Sequence, residues 1–170
     1  MPTATTEELA DAYAAGAHAN QLRKYTNEPY MLHPREVAEM VRQVGGTEAM
    51  IAAALLHDTV EDTDATLSDI YDLFGQEVAH LVYWLTCPSS PEDGNRATRK
   101  AIDLRHISRA PADAMTIKLA DLLSNTRSIL QHDRKFAQVY IPEVRQLHAA
   151  LAEGNEQLHS QLAEVLATWK

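Results

Sequence analysis

The sequence has few of the residues that mark several large classes of protein. Its 170 residues include one cysteine, Cys87, so no disulfide can form within the chain and a reducing compartment is the default expectation. Aromatic residues make up only 6%, and no apolar run reaches the about 18 residues that a membrane-spanning helix needs. The first residues, Met1-Pro2-Thr3-Ala4, lack the basic and then apolar pattern of a secretory signal. We therefore expect a cytoplasmic protein without a membrane partner.

Positive charge is also scarce. The formal net charge is -9, and the basic residues are scattered rather than clustered. Because clustered Lys and Arg bind the backbones of nucleic acids, we expect no nucleic-acid partner. A small anionic ligand stays compatible with this composition, since a metal ion and a few local cations can reverse the field inside a cleft. Homo-oligomerisation is left open by the composition.

Helical periodicity runs through the sequence. The predicted helix starts carry capping residues or proline, at Thr5, His33-Pro34, Thr47, Thr66 and Pro111. Glycines at 45, 46 and 75 are expected to end the helices before them. No strand-like alternation of useful length and no internal repeat are present. We therefore predict an all-α fold that forms one domain over residues 1–170, with packing helices in 141–170.

The most informative stretch runs from Ala52 to Thr63. Its apolar residues recur at helical spacing and lead directly into His57 and Asp58, with Glu61 and Asp62 about one turn later. Polar groups at the end of a buried helix need a partner that compensates for their desolvation. A divalent cation satisfies an imidazole and a carboxylate together, so the pair predicts a metal site, although His-Asp pairs are common by chance. The two later carboxylates are close enough to act on whatever the ion holds.

Two further places carry polar residues of interest. His33 lies where a loop meets the start of a helix, a position that suits a ligand better than a core residue. Lys118, Asp121, Asn125 and Ser128 are spaced three, four and three apart, so they share one stripe of a helix. Such a stripe is either a binding surface or the solvated side of an amphipathic helix. The spacing leaves both interpretations open.

Several motifs, in the same order, resemble the hydrolase domain of the RelA/SpoT alarmone enzymes, which are HD metal-dependent phosphohydrolases. The matching segments are Ala17-His18 through Gln21, Arg23-Lys24, Pro29-Tyr30, His33-Pro34, Val37-Ala38, Ala53 to Asp58, Val60 to Thr63, Phe74-Gly75, and Lys118 to Asp121 with Asn125. The similarity extends from about Tyr13 to Tyr140. At 170 residues the chain is too short for the synthetase and regulatory domains of the long enzymes. It is similar instead to the stand-alone small alarmone hydrolases.

The resemblance implies a fold, an activity and a set of site residues. It implies an HD-domain helical bundle that binds one Mn²⁺ ion through His33, His57, Asp58 and Asp121. Glu61 and Asp62 would orient a water molecule and transfer its proton, which is work that suits carboxylates near a cation. The substrate would be held by Arg23, Lys24, Lys118, Asn125, Ser128 and Tyr140. The expected reaction removes the 3′-pyrophosphate of the guanine nucleotide ppGpp or pppGpp and yields GDP or GTP.

Alternatives stay open at this level. The same residues would suit another phosphorylated nucleotide, such as NADPH or a nucleoside monophosphate. A non-catalytic alarmone-binding regulator is a third hypothesis, although a binder would not need Glu61 and Asp62. His18 is interpreted as a supporting or packing residue, and Tyr140 either stacks on the nucleotide or packs. Asn27 stands where the family usually has glycine, and asparagine tolerates the left-handed backbone geometry that such a turn needs.

Overall fold

Residues 3–170 are described by a computed structural model, and α-helices joined by short loops make up most of them. The α-helices are α1 (Thr6–Ala17), α2 (Leu32–Gln43), α3 (Glu48–Leu56), α4 (Thr59–Asp62), α5 (Leu67–Leu85), α6 (Arg96–Ile107), α7 (Ala112–His132), α8 (Arg134–Ala150) and α9 (Glu156–Ala167). A short 3₁₀ helix, Pro91–Asp93, precedes α6. No β-strand occurs in residues 3–170, where an isolated bridge joins Leu22 and Pro29. The prediction of an all-α fold is confirmed.

Capping residues set several of the helix boundaries. The side chain of Thr5 accepts a hydrogen bond from the N–H of Glu8, and the Glu8 carboxylate accepts one from the N–H of Thr5, which forms a capping box at the predicted helix start. Thr47 and Thr66 cap α3 and α5, as predicted. Gly75 has a φ of +86° inside α5, so the helical path breaks at the glycine that was expected to end it.

The chain divides into two compact units, one extending to residue 86 and the other covering 87–170. In the first unit, α3 packs against α1, α2 and α5. Ala52, Ala53 and Ala54 are fully buried. Because consecutive residues point to different sides of a helix, this part of α3 is covered on all sides and is not amphipathic. His57 follows α3 directly, and its side chain is buried in the interior of the first unit.

In the second unit, α7 packs against α8 and α9. Gly154, in the turn before α9, lies so close to α7 that a Cβ there would be 2.6 Å from Leu119 Cδ1 and 3.2 Å from the carbonyl carbon of Met115. The N–H of Asn155 donates to Thr116 Oγ1 at 2.9 Å. The turn is thus fixed against α7 by a close contact and a hydrogen bond.

Every helix in residues 3–170 is too short or too polar to span a bilayer.

Candidate metal centre

Three buried or half-buried donor side chains meet in the first unit. One donor atom from each of His33, His57 and Asp58 lies within 4.8 Å of the other two. The Oδ2 of Asp58 is 3.1 Å from the Nε2 of His57 and 3.7 Å from the Nε2 of His33. The two histidines are 2% and 1% exposed, although His33 lies at the start of α2, where we expected a ligand rather than a core residue. The structure therefore brings together three of the four predicted ligands.

Hydrogen bonds orient these donors. The Nδ1 of His57 lies 2.6 Å from the carbonyl oxygen of Ala54. Because a carbonyl only accepts, Nδ1 carries the proton and Nε2 of the neutral ring presents a lone pair. The hydroxyl of Tyr30 donates to the Oδ2 of Asp58 at 2.5 Å. Nitrogen and oxygen donors that are held by hydrogen bonds in this way fit a divalent cation.

The two predicted catalytic carboxylates lie in α4, directly after this cluster. Glu61 is exposed, and the Oδ2 of Asp62 accepts a hydrogen bond from the Nε2 of Gln21 at 3.2 Å. Desolvation raises the pKa of Asp62, and the charge of Asp58 raises it further, whereas the bond from Gln21 lowers it. Asp62 as a whole residue is exposed. A carboxyl with a raised pKa takes up a proton more readily, which suits proton transfer.

The fourth predicted ligand belongs to the second unit. Asp121 is 4% exposed in α7. Its Oδ2 accepts from the Nζ of Lys118 at 2.8 Å, and its Oδ1 accepts from the Nδ2 of Asn125 at 2.9 Å. A solvated helix face would not bury its carboxylate, so that interpretation of the stripe is wrong for Asp121. Ser128, the next residue of the stripe, is half-buried.

The two cations predicted to bind phosphate lie in the loop before α2. Arg23 is half-buried and Lys24 is exposed, with its Nζ 5.2 Å from the centroid of the Tyr25 ring. Asn27 has a φ of +58°, and its N–H donates to the carbonyl of Arg23 at 3.0 Å. The left-handed turn therefore survives with asparagine in place of the family's glycine.

Tyr140 lies on α8 with its ring 5.7 Å from that of Phe136. Burial raises the pKa of Tyr140 well above its usual range, although the residue as a whole is half-buried rather than fully enclosed. These features describe a packed aromatic residue. Stacking of Tyr140 on a nucleotide stays a prediction.

Sequence reasoning missed the residues that support the carboxylates. It gave Tyr30 and Gln21 no role beyond membership of a motif, and it assigned His18 a supporting role without a partner. Tyr30 reaches Asp58 across 28 positions, and no periodic pattern signals such a contact. The one local signal was the short spacing of His18 and Gln21, whose side chains lie 2.8 Å apart.

The chain is similar to known proteins in sequence and in fold. The family model described as HD domain matches residues 10–156. A probable guanosine-3′,5′-bis(diphosphate) 3′-pyrophosphohydrolase of Synechocystis sp. is 42% identical over 123 residues, which cover 71% of this chain and 16% of that protein. A GTP pyrophosphokinase of Myxococcus xanthus is 39% identical over 150 residues, which cover 84% of this chain and 20% of that protein. The chain spans about a fifth of the length of these curated relatives.

A solved structure of a metazoan ortholog of SpoT, which hydrolyses ppGpp, is similar over 99% of this chain and 97% of its own, with a TM-score of 0.87 and 28% identity. The matches confirm the resemblance to the RelA/SpoT hydrolases. The donor set of His33, His57 and Asp58 fits the divalent metal that HD-domain hydrolases bind. Since the family model covers most of the sequence, the chain belongs to the HD domain family.

Proposed function

We propose that the chain is a Mn²⁺-dependent hydrolase that removes the 3′-pyrophosphate from ppGpp or pppGpp. The observation that carries the proposal is the convergence of the donor atoms of His33, His57 and Asp58 within 4.8 Å. The relatives and the solved structure named for ppGpp hydrolysis support the substrate class. The proposal further assigns residues 1–170 to one HD domain that acts in the cytoplasm and has no nucleic-acid partner.

The proposed ligands are the three clustered residues of the first unit together with Asp121, which stays a prediction from the sequence. When bound, a divalent cation polarises a phosphoryl group and lowers the pKa of water. The lone pair on Nε2 of His57 is kept available by the bond from Nδ1 to Ala54. The hydroxyl of Tyr30 restrains Asp58 in the same way. The chain's own part is therefore to hold the donors in place.

The reaction breaks the bond between the ribose 3′ oxygen and its phosphorus. The oxygen of a water molecule forms a new bond to that phosphorus, the proton of the water passes to a carboxylate, and the departing 3′ oxygen takes up a proton. Asp62 suits the accepting role because its pKa is raised and Gln21 restrains one of its oxygens. Glu61, its exposed neighbour, would orient the water. The products are pyrophosphate and GDP or GTP.

Substrate binding is proposed for the residues that the resemblance indicates. Arg23, Lys24 and Lys118 carry cations that suit phosphate oxygens. Asn125 and Ser128 offer an amide and a hydroxyl to the base or sugar, and Tyr140 offers an aromatic ring.

The purified chain should be incubated with Mn²⁺ and a panel of ppGpp, pppGpp, NADPH and nucleoside monophosphates, with the products separated by chromatography. We expect ppGpp to yield GDP and pyrophosphate, chelation to abolish turnover, and added Mn²⁺ to restore it. Release of single phosphates as the main product would favour a different nucleotide hydrolase. Tight binding of ppGpp without turnover would favour the regulator.

A further inference from the structure

Two side chains support Asp62 from the loop that follows α1. The Nε2 of Gln21 donates to the Oδ2 of Asp62 at 3.2 Å, and the Oε1 of the same amide lies 2.8 Å from the Nδ1 of His18. Because an amide oxygen only accepts, His18 must carry a proton on Nδ1. The histidine therefore turns the donor end of the Gln21 amide toward Asp62.

The backbone N–H and the backbone carbonyl of Gln21 both form hydrogen bonds within the main chain. Its N–H donates to the carbonyl of His18 at 2.9 Å, and its carbonyl accepts from the N–H of Tyr30, also at 2.9 Å. An isolated bridge between Leu22 and Pro29 closes the same loop. Since folding has already fixed the backbone, little further conformational entropy is lost when the Gln21 side chain bonds to Asp62.

His18 is deeply buried for a polar residue. It is 3% exposed, and its Nε2 is buried without a hydrogen-bond partner among residues 3–170. A buried polar atom that is left unsatisfied destabilises the fold. An apolar side chain would fill the space without that cost, so packing alone does not account for an imidazole at this position. The N–H that His18 presents to Gln21 does account for it.

We propose that His18 and Gln21 are positioning residues that hold Asp62 for proton transfer, an inference that rests on the hydrolase function proposed above. Gln21 acts on Asp62 directly, and His18 acts through Gln21. The Oδ2 of Asp62 accepts from Gln21, and this bond fixes the orientation of the carboxylate.

Gln21→Met removes the amide donor and keeps the length of the side chain. Gln43→Met is the matched control, because the exposed Gln43 amide also donates to a carboxylate, that of Glu39, at 3.2 Å. With Mn²⁺ and ppGpp, we expect kcat of Gln21→Met to fall about 10- to 100-fold at unchanged KM and metal content, and the control to match the wild type. A kcat for Gln21→Met within about twofold of the control would overturn the proposal.

The pH–rate profile separates positioning from a general loss of structure. Asp58, His18 and His57 are the titratable groups whose charge acts on Asp62, and the bond from Gln21 lowers the pKa of Asp62. Losing that bond raises the pKa, so the acid limb of the Gln21→Met profile should move to higher pH. In an Asp62→Asn background, Gln21→Met should cause no further loss of kcat, because its effect passes through Asp62. Independent, multiplicative losses would overturn the proposal.

A measurement on the metal-free wild type depends neither on turnover nor on the folding of a variant. The ¹⁵N chemical shifts of the His18 ring report which nitrogen carries the proton, and we expect the proton on Nδ1. A proton on Nε2 alone would overturn the arrangement. If the wild type hydrolyses no nucleotide in the panel, the proposed function fails. The His18 tautomer, and the difference in the pKa of Asp62 between metal-free wild type and metal-free Gln21→Met, still decide whether the two side chains hold Asp62.

Discussion

Asp58 of the first unit is half-buried and Asp121 of the second is buried, and the two carboxylates are supported in different ways. Asp58 accepts from the hydroxyl of Tyr30 and lies beside the Nε2 atoms of His33 and His57, so its surroundings come from separate segments of the first unit. Asp121 accepts from a lysine and an asparagine three and four residues away on its own helix. Asp58 thus lies among imidazole nitrogens that can donate electron pairs to a metal ion, whereas Asp121 is paired with the ammonium of Lys118.

The difference shows that burial alone does not identify a metal ligand. A buried carboxylate needs compensation, and the ammonium of Lys118 at 2.8 Å supplies it to Asp121 within the chain. The cluster of His33, His57 and Asp58 instead brings three donor atoms within 4.8 Å of one another, which suits a cation from solution. We therefore expect the first unit to supply the larger part of the metal affinity.

The largest expected effect comes from removing one carboxylate in each unit. Asp58→Asn takes the charge out of the donor cluster, and Asp121→Ala removes the predicted fourth ligand. Both variants should lose their bound Mn²⁺ on dialysis, and their activity should fall more than about 100-fold. Replacing a residue that only hydrogen-bonds to a metal ligand already lowers metal affinity or activity about 10- to 100-fold, and loss of the ligand itself should lower it further. If Asp121→Ala retains its metal while Asp58→Asn loses it, Asp121 is only the buried partner of Lys118.

The next effect concerns the carboxylates of α4. Glu61→Gln and Asp62→Asn preserve size and polarity but cannot accept a proton. We expect both variants to fold, retain metal and bind ppGpp, and to turn over at least about 100-fold more slowly. Asp72→Asn, on the exposed surface of α5, is the matched control and should behave as the wild type. Loss of metal in either α4 variant would show that the residue is a ligand.

A smaller effect distinguishes Lys118 from Arg23. Replacing either by alanine should raise KM about 10- to 100-fold, since a hydrogen bond to a charged group contributes about 1.5–3 kcal/mol. Lys118→Ala should in addition lower the free energy of unfolding by about 1–3 kcal/mol, because it leaves the buried Asp121 without its cation. Steady-state kinetics and urea denaturation measure the two quantities. Unchanged kinetics for both variants would remove these cations from the proposed substrate site.

The smallest effect lies on the surface, where Arg35 of α2 pairs with Asp11 of α1 at 2.7 Å. The hydrogen bond from Arg35 lowers the pKa of Asp11 below 3.8. A lowered pKa stabilises the fold above that value, and the contribution is lost as the pH falls through the folded-state pKa. Both side chains are partly exposed, so Arg35→Met should cost only about 0.2–1 kcal/mol at neutral pH. Urea denaturation should show the cost vanishing in acid and shrinking in high salt.

Local chemistry was predictable from the sequence. Thr5 and Thr66 cap helices and Gly75 breaks one because these effects depend on a few neighbouring residues. The proximity of His57 and Asp58 followed from their adjacency, and the chemistry of the pair indicated a cation. The burial of Asp121 was not predictable, because spacing gives a stripe without telling whether the stripe faces solvent.

Contacts between distant segments were also out of reach. Gln21 meets Asp62 across 41 positions, and Tyr30 meets Asp58 across 28. Such contacts depend on how helices pack, and they leave no periodic trace in the sequence. The resemblance to a family placed these residues in motifs, but only the geometry shows which atoms they touch.

The burial of α3 from Met50 to Leu56 has a consequence for the kinetics of ion uptake. Backbone amides of a helix enclosed by α1, α2 and α5 exchange with solvent only when the whole unit opens, so those from Ala53 to His57 should be among the slowest to take up deuterium. His57 and Asp58 follow this helix without an intervening loop. An incoming ion therefore meets donors on a part of the chain that seldom opens, and its association should be limited by loss of hydration water rather than by a folding step.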